Sequence, residues 1–364
     1  MSVFDVNQNK SICILPWIHE FKSVGGHVAP CCVAETLKDQ TIEDIRKEML
    51  DNKKPSACDI CYKSEQESNW SHRLEHTNSW LLKHGAPNIE RPKIEYIDIR
   101  FDPTCNLKCK TCNPGSSTLW QKEKGVKFAI DQNSIDHLKL IDKTHLKKIY
   151  MAGGEPTFIK LYLDFLEELY IVNPDCEVII NTNLKRLPEP WKNIIKKIKN
   201  LTVVSSCDAT EELGSYVRYP LGWKQFEENV KFASEHANFF EFNMVCSNLT
   251  VHKLFETCSW MQKYSKNISI EILRDPKIFS EASVPMHKRE QYISSLKKLL
   301  HFPIGLYSAS KFRNNIKYLI DRYTKAEYNP HLHKQLKEEI TEQDSHRLVK
   351  LQEVDAFLYN WIYE

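Results

Sequence analysis

Three cysteines in the middle of the 364-residue chain, Cys105, Cys109 and Cys112, are the residues best suited to chemistry. The run before them, 94–101, alternates like a strand, so the three thiols are predicted to lie on a loop where that strand ends. Thiolates at this spacing bind metal. A structural zinc ion takes four protein ligands, whereas a four-iron cluster bound by three cysteines keeps one iron open. The loop therefore predicts either such a cluster or a zinc site with a distant fourth ligand.

The C-x3-C-x2-C spacing of this loop resembles the cluster loop of the radical S-adenosylmethionine (SAM) enzymes. The resemblance implies that the amino and carboxylate groups of SAM chelate the open iron. It also implies reductive cleavage of SAM to a 5'-deoxyadenosyl radical, which abstracts a hydrogen from an unactivated carbon. One position departs from the family, because relatives often carry an aromatic residue where this chain has Thr111. That departure puts the expected adenine packing in doubt, but not the cluster.

A second group of cysteines lies in the first ninety residues, at Cys13, Cys31, Cys32, Cys58 and Cys61. The C-x2-C pair at its end is the tightest chelate that a turn can make. A cysteine beside the Gly25-Gly26 turn would supply a further ligand by bringing two strands together. Because sets of four thiolates bind zinc and iron–sulfur clusters alike, a zinc ribbon is the alternative to a second cluster.

The pattern C-x12-G-x4-C followed by C-x2-C resembles the first half of the auxiliary-cluster module called SPASM and its shortened form, twitch. The resemblance implies a second four-iron cluster on Cys13, Cys31, Cys58 and Cys61. Two departures matter. The module usually follows the radical SAM core and here precedes it, and Cys31 is followed directly by Cys32, so the choice between these two thiolates stays open.

From residue 94 onward, strand-like runs alternate with amphipathic helical stretches. The predicted strands are 94–101, 147–151, 177–182, 201–207, 239–246 and 268–273, and the predicted helices include 159–171, 189–199, 223–236 and 252–264. This alternation predicts an α/β fold with a parallel sheet, either doubly wound or curled into a partial barrel. The family resemblance implies the second arrangement, a partial (β/α)6 TIM-like barrel. Residues just after each strand should then line one site.

Polar motifs follow several of these strands. After the second strand comes Gly153-Gly154-Glu155-Pro156, where two glycines allow close backbone approach and a carboxylate can accept from an ammonium. This turn resembles the family's GGEP motif, which implies a contact with the amino group of SAM. The resemblance extends to Arg218, whose guanidinium suits the SAM carboxylate. The SAM-binding residues that the resemblance implies are Gly153, Gly154, Glu155, Asn183, Ser206, Asp208, Arg218 and Asn243.

Each of these polar residues also has an ordinary structural interpretation. Asn, Ser and Asp at strand ends commonly form turns or cap helices. Arg218 could equally form a surface ion pair with Glu211 or Glu212, which would contribute little stability. Their order along the chain, one motif after each strand, favours the functional interpretation.

The composition gives no support for a nucleic-acid-binding, membrane or secreted protein. Fifty basic residues against 48 acidic ones leave no global charge that points to nucleic acid or an anionic membrane. The N-terminus does not resemble a signal peptide and the chain has no run of about eighteen apolar residues, so we expect a cytoplasmic protein. The scattered cysteines Cys176, Cys207, Cys246 and Cys258 are predicted to be small buried hydrophobes.

We predict three domains: an auxiliary-cluster module and linker over 1–90, a radical SAM core over 91–285 and a helical extension over 286–364. The extension shows helical periodicity over 287–301, 308–325 and 333–362, which indicates packing surfaces and no chemistry.

The resemblance implies a radical SAM oxidoreductase or maturase. Relatives with auxiliary modules often modify peptides or proteins, so we expect a peptide or protein substrate and an electron donor of the flavodoxin or ferredoxin type. A carbohydrate, nucleotide or other small metabolite is the alternative substrate, because a fold does not fix a substrate. A non-catalytic zinc-binding interaction protein is the alternative class, although it would need none of the Gly-Gly-Glu-Pro series. No catalytic acid or base stands out.

Overall fold

The computed structural model describes residues 3–23, 26, 28–35, 37, 40–68, 70–273, 275–306 and 308–364. Gly25, the first residue of the predicted Gly25-Gly26 turn, and His27, which follows that turn, lie outside the described residues. The strands are β1 (His19–Lys22), β2 (Val28–Ala29), β3 (Tyr96–Ile99), β4 (Lys148–Met151), β5 (Glu177–Thr182), β6 (Leu201–Ser206), β7 (Phe239–Cys246) and β8 (Ile268–Ile272).

The helices alternate with the strands from residue 94 onward and dominate the C-terminal hundred residues. They are α1 (Leu15–Ile18), α2 (Ile42–Leu50), α3 (Asp59–Ser68), α4 (His72–His84), α5 (Thr118–Lys124), α6 (Gln132–Leu140), α7 (Lys160–Val172), α8 (Glu189–Lys197), α9 (Glu211–Val217), α10 (Trp223–His236), α11 (Leu254–Met261), α12 (Arg289–Leu299), α13 (Ala309–Lys325), α14 (Pro330–His346), α15 (Leu351–Val354) and α16 (Ala356–Tyr363).

The chain divides into two compact units. The first unit comprises residues 1–104, 128–180 and 198–201, and the second comprises residues 105–127, 181–197 and 202–364. Strand β5 begins in the first unit and ends in the second, and only the first residue of β6 belongs to the first unit.

In the first unit, β1, β3, β4 and β5 pair in parallel, and β2 adds to β1 in the antiparallel sense. Tyr96 of β3 lies opposite His19 on one side and Lys148 on the other. All four residues of β3 are buried, as expected for a parallel strand covered on both faces. The strand therefore fixes the position at which the segment preceding Cys105 begins.

The N-terminal part of the first unit has its own hydrophobic core around Trp17. Ile45 and Met49 of α2 pack into this core, and Thr41, the N-cap of α2, forms a capping box with Asp44. Cys13 and Cys58 belong to the same core.

In the second unit, β6, β7 and β8 pair in parallel, with Thr202 opposite Phe239 and Phe242 opposite Ile268. Burial alternates strictly along β7, because one set of its side chains packs into the core. The amphipathic helices α10 and α11 each bury an apolar face. Asn315 of α13 donates to the carbonyl of Ile270 in β8 at 2.7 Å, so the C-terminal helices are bonded to the strands of this unit.

The predicted α/β fold is confirmed. All six predicted strands exist, as β3 to β8, and those within each unit pair in parallel with helices between them. Strands β1 and β2 come before and after Gly25-Gly26 in the sequence, where two strands were expected without stated bounds, and they pair with each other. The predicted continuous helical stretch 333–362 is wrong in detail, because helix α14 ends before Arg347 and Asp355 caps a new helix by accepting from the Leu358 N–H at 2.9 Å.

None of the helices that the structure describes combines the length and the apolar character needed to cross a lipid bilayer.

Candidate functional site

The loop with Cys105, Cys109 and Cys112 is held by backbone hydrogen bonds within the second unit. The N–H groups of Lys108 and Lys110 donate to the carbonyls of Tyr219 and Val217, each at 2.7 Å. These bonds fix the loop between Cys105 and Cys112 from one side. The sequence favours such a loop because residues 104–117 carry Pro, Asn and Ser at positions that break regular structure.

Helix α5 fixes the same loop from another side. Its N-cap Ser117 donates to the Leu107 carbonyl at 2.5 Å, and the Trp120 indole donates to the Cys109 carbonyl at 2.9 Å. The Thr118 hydroxyl accepts from the Cys105 N–H at 3.2 Å. The loop is therefore preorganised, as a cluster-binding loop must be if its thiolates are to converge.

Asn183, which follows β5, lies directly against this loop. Its side-chain N–H group donates to Asn106 Oδ1 at 2.8 Å and lies 3.9 Å from Cys105 Sγ. Lys185 Nζ donates to the Asn106 carbonyl at 3.2 Å. Residues that follow the third predicted strand, β5, thus contact the cysteine loop. This agrees with the rule that the residues just after parallel strands line one site.

Asp208 and Arg218 form a buried ion pair in the same unit. Arg218 Nη1 lies 2.8 Å from Asp208 Oδ2, and Asp208 Oδ1 accepts from the Val245 N–H at 2.8 Å. Burial raises the pKa of the Cys109 thiol, and the positive charge of Arg218 acts against that rise. Arg218 thus pairs with Asp208, and neither Glu211 nor Glu212 is its ion-pair partner here.

Several buried polar atoms have no hydrogen-bond partner among the described residues. They include Arg218 Nε, a donor, and Asn243 Oδ1, an acceptor. Buried polar groups are rarely left unsatisfied, so each is a candidate contact for a bound polar molecule. Ser206, in contrast, donates to Asn181 Oδ1 at 3.0 Å.

The Gly-Gly-Glu-Pro turn lies in the first unit, where it packs on the segment that leads into the cysteine loop. A Cβ atom on Gly154 would lie 2.2 Å from the Thr104 carbonyl oxygen, and one on Gly153 would lie 2.8 Å from the Asp102 carbonyl oxygen. Gly153 also has a φ of +104°. Glu155 is buried, and its Oε1 accepts from the Thr157 hydroxyl at 2.6 Å. Both glycines are therefore required by backbone packing.

Four of the N-terminal cysteines line a single cavity in the first unit: Cys13, Cys31, Cys58 and Cys61. Cys32 does not line it. The charge of Arg100 acts on Cys32 instead, although burial still raises the pKa of that thiol to about 11. Of the two adjacent cysteines between which the sequence leaves the choice open, Cys31 is the one that lines the cavity.

Backbone N–H groups around this cavity donate hydrogen bonds to two of its cysteine sulfur atoms. Burial raises the pKa of Cys61, and the backbone N–H groups of Arg73 and His72, at the start of α4, oppose the rise. Burial also raises the pKa of Cys13, against a backbone N–H of Leu15. Arg73 itself lines the cavity and pairs with Glu65 at 2.7 Å. Backbone donors and one guanidinium are features that suit thiolates.

Among the described residues, no three Cys, His, Asp or Glu side chains are grouped as the ligands of a single metal ion. The scattered cysteines Cys176, Cys207, Cys246 and Cys258 are all buried.

Sequence reasoning missed a polar network around the cysteine loop. Lys110, between Cys109 and Cys112, lies 3.1 Å from Asp344, which is 234 residues away in sequence. Arg347 pairs with Glu123 at 3.0 Å, and Lys108 also pairs with Glu123. No sequence signal links residues so far apart.

No protein-family model matches the chain. The chain is similar to GTP 3',8-cyclase of Helicobacter pylori, with 29% identity over 103 residues, which is 28% of this chain and 32% of that relative. The same enzyme from a second strain matches with 28% identity over 102 residues. The chain thus spans about a third of the length of the relatives it matches.

Solved structures resemble parts of the chain. The structure of anSMEcpe with bound AdoMet aligns with a TM-score of 0.42 and 18% identity, covering 57% of this chain and 59% of that one. Streptococcus suis SuiB bound to S-adenosylmethionine aligns with a TM-score of 0.38 and 14% identity, covering 75% of this chain and 53% of that one. The cysteine loop and the motifs at the ends of the strands resemble those of the radical SAM enzymes, and over 103 residues the chain is similar to GTP 3',8-cyclase.

Proposed function

We propose that the chain is an enzyme that cleaves SAM reductively and abstracts a hydrogen from an unactivated carbon of a peptide or protein. The observation that carries this proposal is the contact between the cysteine loop and the strand ends in the second unit. Asn183 lies against Cys105 and Asn106, and Arg218 acts on Cys109. A metal-binding interaction protein would not need these strand-end residues around its cysteines.

In this proposal Cys105, Cys109 and Cys112 hold a four-iron cluster whose fourth iron stays open. Arg218 Nε and Asn243 Oδ1 are buried without partners among the described residues, so they suit a ligand with both an anionic and a hydrogen-donating end. SAM has such groups. Asp208, which accepts from Arg218 and from the Val245 N–H, would orient the guanidinium.

Gly153, Gly154 and Glu155 are proposed to contribute to SAM binding through their turn. Since Glu155 is buried and already accepts from Thr157, its carboxylate is fixed in one orientation. The Ser206 hydroxyl already donates to Asn181 Oδ1, so a contact between Ser206 and SAM would use the same hydroxyl group.

When bound, the cluster and SAM would supply the radical chemistry. One electron from a flavodoxin- or ferredoxin-type donor would cleave the sulfonium to methionine and a 5'-deoxyadenosyl radical. Taking a hydrogen atom from the substrate would convert that radical to 5'-deoxyadenosine. The protein residues bind, orient and exclude water.

We also propose a second four-iron cluster on Cys13, Cys31, Cys58 and Cys61. Four cysteines around one cavity support it. With a thiolate on every iron, this cluster would have no open position, so it would accept the electron left on the substrate after hydrogen abstraction and would not bind the substrate itself. A zinc ion in the same cavity is the alternative occupant.

A nucleotide is the second candidate substrate. The match to GTP 3',8-cyclase over 103 residues favours it. The peptide proposal rests on the cysteine-rich N-terminal segment, which resembles modules found in peptide-modifying relatives.

The test begins with anaerobic reconstitution of wild type and the C105A/C109A/C112A variant, followed by iron counting and a SAM-cleavage assay with dithionite. We expect about eight irons and 5'-deoxyadenosine in wild type, and about four irons without product in the variant. About four irons plus one zinc in wild type would contradict the second cluster. Zinc alone without 5'-deoxyadenosine would overturn the enzyme proposal and leave a metal-stabilised binding protein.

Substrate class is tested on the same preparation by adding either GTP or a pool of synthetic peptides. Stimulated 5'-deoxyadenosine formation by peptides, with deuterium from labelled peptide appearing in the product, would support the first proposal. Stimulation by GTP alone would replace it with the second.

A further inference from the structure

The segment 344–351, called the turn below, comprises the last three residues of α14, the link that follows and the first residue of α15, and it is bonded to the cysteine loop within the second unit. The Lys110 ammonium is fully buried and lies 3.1 Å from Asp344 Oδ1. The same carboxylate accepts from the Tyr216 hydroxyl at 3.0 Å and, through Oδ2, from the Leu351 N–H at 2.8 Å. Asp344 thus joins the middle of the loop to the turn.

Arg347 makes a second connection between this turn and the loop. Its fully buried guanidinium donates to Glu123 Oε1 at 3.0 Å, and Lys108 of the loop pairs with the other oxygen of Glu123. The guanidinium lies 5.0 Å from the ring centroid of Trp120, whose indole N–H donates to the Cys109 carbonyl. Both flanks of Cys109 are therefore supported from the turn.

The charge of Arg347 reaches Cys109 with little screening. Its side chain is fully buried, and neither Nε nor Nη1 has a hydrogen-bond partner among the described residues. Charges in a buried environment act more strongly than exposed ones. A fixed positive charge beside a cysteine-bound cluster stabilises the more negative, reduced state.

We propose that Asp344 and Arg347 are positioning residues for the Cys105–Cys112 loop: Asp344 anchors the loop through Lys110, and Arg347 braces it through Glu123 and makes the cluster easier to reduce. The second effect rests on the proposed function, because it requires a cluster on this loop. The first effect concerns the polypeptide alone.

The loop is tested in the iron-free chain by hydrogen–deuterium exchange with mass spectrometry. The N–H groups of Lys108 and Lys110 are bonded to backbone carbonyls and should exchange slowly in wild type. We expect peptides covering 105–112 to exchange at least about tenfold faster in D344N and R347Q. The matched control is R313Q, which removes an exposed guanidinium from α13 of the same unit. R347K keeps the charge and should restore part of the protection.

The electrostatic effect is tested in the reconstituted holoprotein by redox titration monitored by electron paramagnetic resonance. The signal that changes on adding SAM identifies the cluster on this loop. At a fixed potential near the wild-type midpoint, we expect the ratio of reduced to oxidised cluster to fall about tenfold in R347Q, which corresponds to about 59 mV for a one-electron couple. R347K and R313Q should stay near the wild-type ratio.

Exchange rates in D344N and R347Q that equal those of R313Q would overturn the positioning role, and a midpoint in R347Q that equals that of R313Q would overturn the electrostatic effect. A thermal melt of each variant shows whether it folds. If R347Q does not fold, R347K is compared with wild type and R313Q in its place. If wild type binds no iron, the proposed function and the electrostatic effect both fail, while exchange in the iron-free chain still decides whether the turn holds the loop.

Discussion

Among the glycines that the structure describes, Gly154 has the least room for a side chain. A Cβ atom at this position would lie 2.2 Å from the Thr104 carbonyl oxygen, and the nearest atoms are all backbone, which leaves no flexible group to move. We expect Gly154→Ala to lower the free energy of unfolding by about 3 kcal/mol. Urea denaturation of the iron-free chain measures this directly.

Gly222→Ala is the control for that substitution, because no atom lies within 4 Å of a Cβ placed there. Gly222 precedes α10, and alanine at such a position should cost no more than about 1 kcal/mol. Equal stability of the two variants would contradict the requirement for glycine at Gly154.

Asp355 carries a pH-dependent contribution to stability. Burial alone would raise the pKa of this carboxyl, but the hydrogen bond and charge of His252, 2.8 Å away, together with the Leu358 N–H, lower it overall. A lowered folded-state pKa means that the stabilisation is complete above the unfolded pKa of about 4 and disappears as the pH falls through the lower folded value.

In Asp355→Asn the amide oxygen keeps accepting from the Leu358 N–H, while an uncharged NH2 group replaces the oxygen that faces His252. We expect this variant to be less stable by about 1–3 kcal/mol at neutral pH. The difference from wild type should stay constant above about pH 4 and shrink as the pH falls from about 4 to about 3. Urea midpoints measured across that range provide the test, and a difference that grows on acidification would refute the assignment.

At the scale of elements, the start of α4 connects a helix to the N-terminal cysteine cavity. Ser71 caps α4 by accepting from the Leu74 N–H at 3.2 Å, and its hydroxyl donates to Glu65 at 2.6 Å. The next two residues, His72 and Arg73, present their N–H groups to Cys61. Loss of the cap should therefore disturb both the helix and the site.

We expect Ser71→Ala to lower the free energy of unfolding by about 1–2 kcal/mol and to speed the loss of iron from the N-terminal site to a chelator. Ser71→Thr keeps a capping oxygen and should stay close to wild type. Ser79→Ala, on an exposed position of the same helix, is the control. If Ser71→Ala releases iron no faster than Ser79→Ala, the cap has no part in the site.

Strand-like runs that alternate with amphipathic helical stretches were sufficient to predict β3 to β8, because strands of a parallel sheet carry long apolar runs. They gave no bounds for β1, whose four residues include two charged ones and which pairs with β3. The break after α14 was also missed, since residues 347–355 contain neither Gly nor Pro and the helical period continues through them.

The cysteine groups could be singled out because C-x3-C-x2-C and C-x2-C are short spacings visible in the sequence. Which of Cys31 and Cys32 lines the cavity was not predictable, since adjacent residues point in different directions and only the folded backbone decides which one faces it. Asp344 and Arg347 were invisible for another reason, because their partners lie more than two hundred residues away.

At the scale of the whole molecule, the C-terminal helices are part of the second unit's core. Leu336, Ile340 and Trp361 are completely buried. Removing residues 330–364 would expose this surface, and losing each large apolar side chain costs about 2–5 kcal/mol against a total stability of about 5–15 kcal/mol. We expect the truncated chain to lose its cooperative thermal transition, as followed by circular dichroism.

Leu348→Ala is the matched control, because Leu348 lies in the same segment but is 88% exposed. It should melt like wild type. A truncated chain that melts cooperatively at the wild-type temperature would show that these helices are an independent appendage.

The pairing of β1 with β3 also bears on how this protein can be handled. The cysteine-rich N-terminal segment donates a strand that covers one edge of β3, so it cannot be removed like a fusion tag. A fragment beginning at residue 94 would present a row of unpaired backbone groups on a fully buried strand, which is a template for intermolecular association. Such a fragment should precipitate on expression. Co-expression of the first ninety residues as a separate polypeptide should keep it in solution by restoring the pairing of β1 with β3.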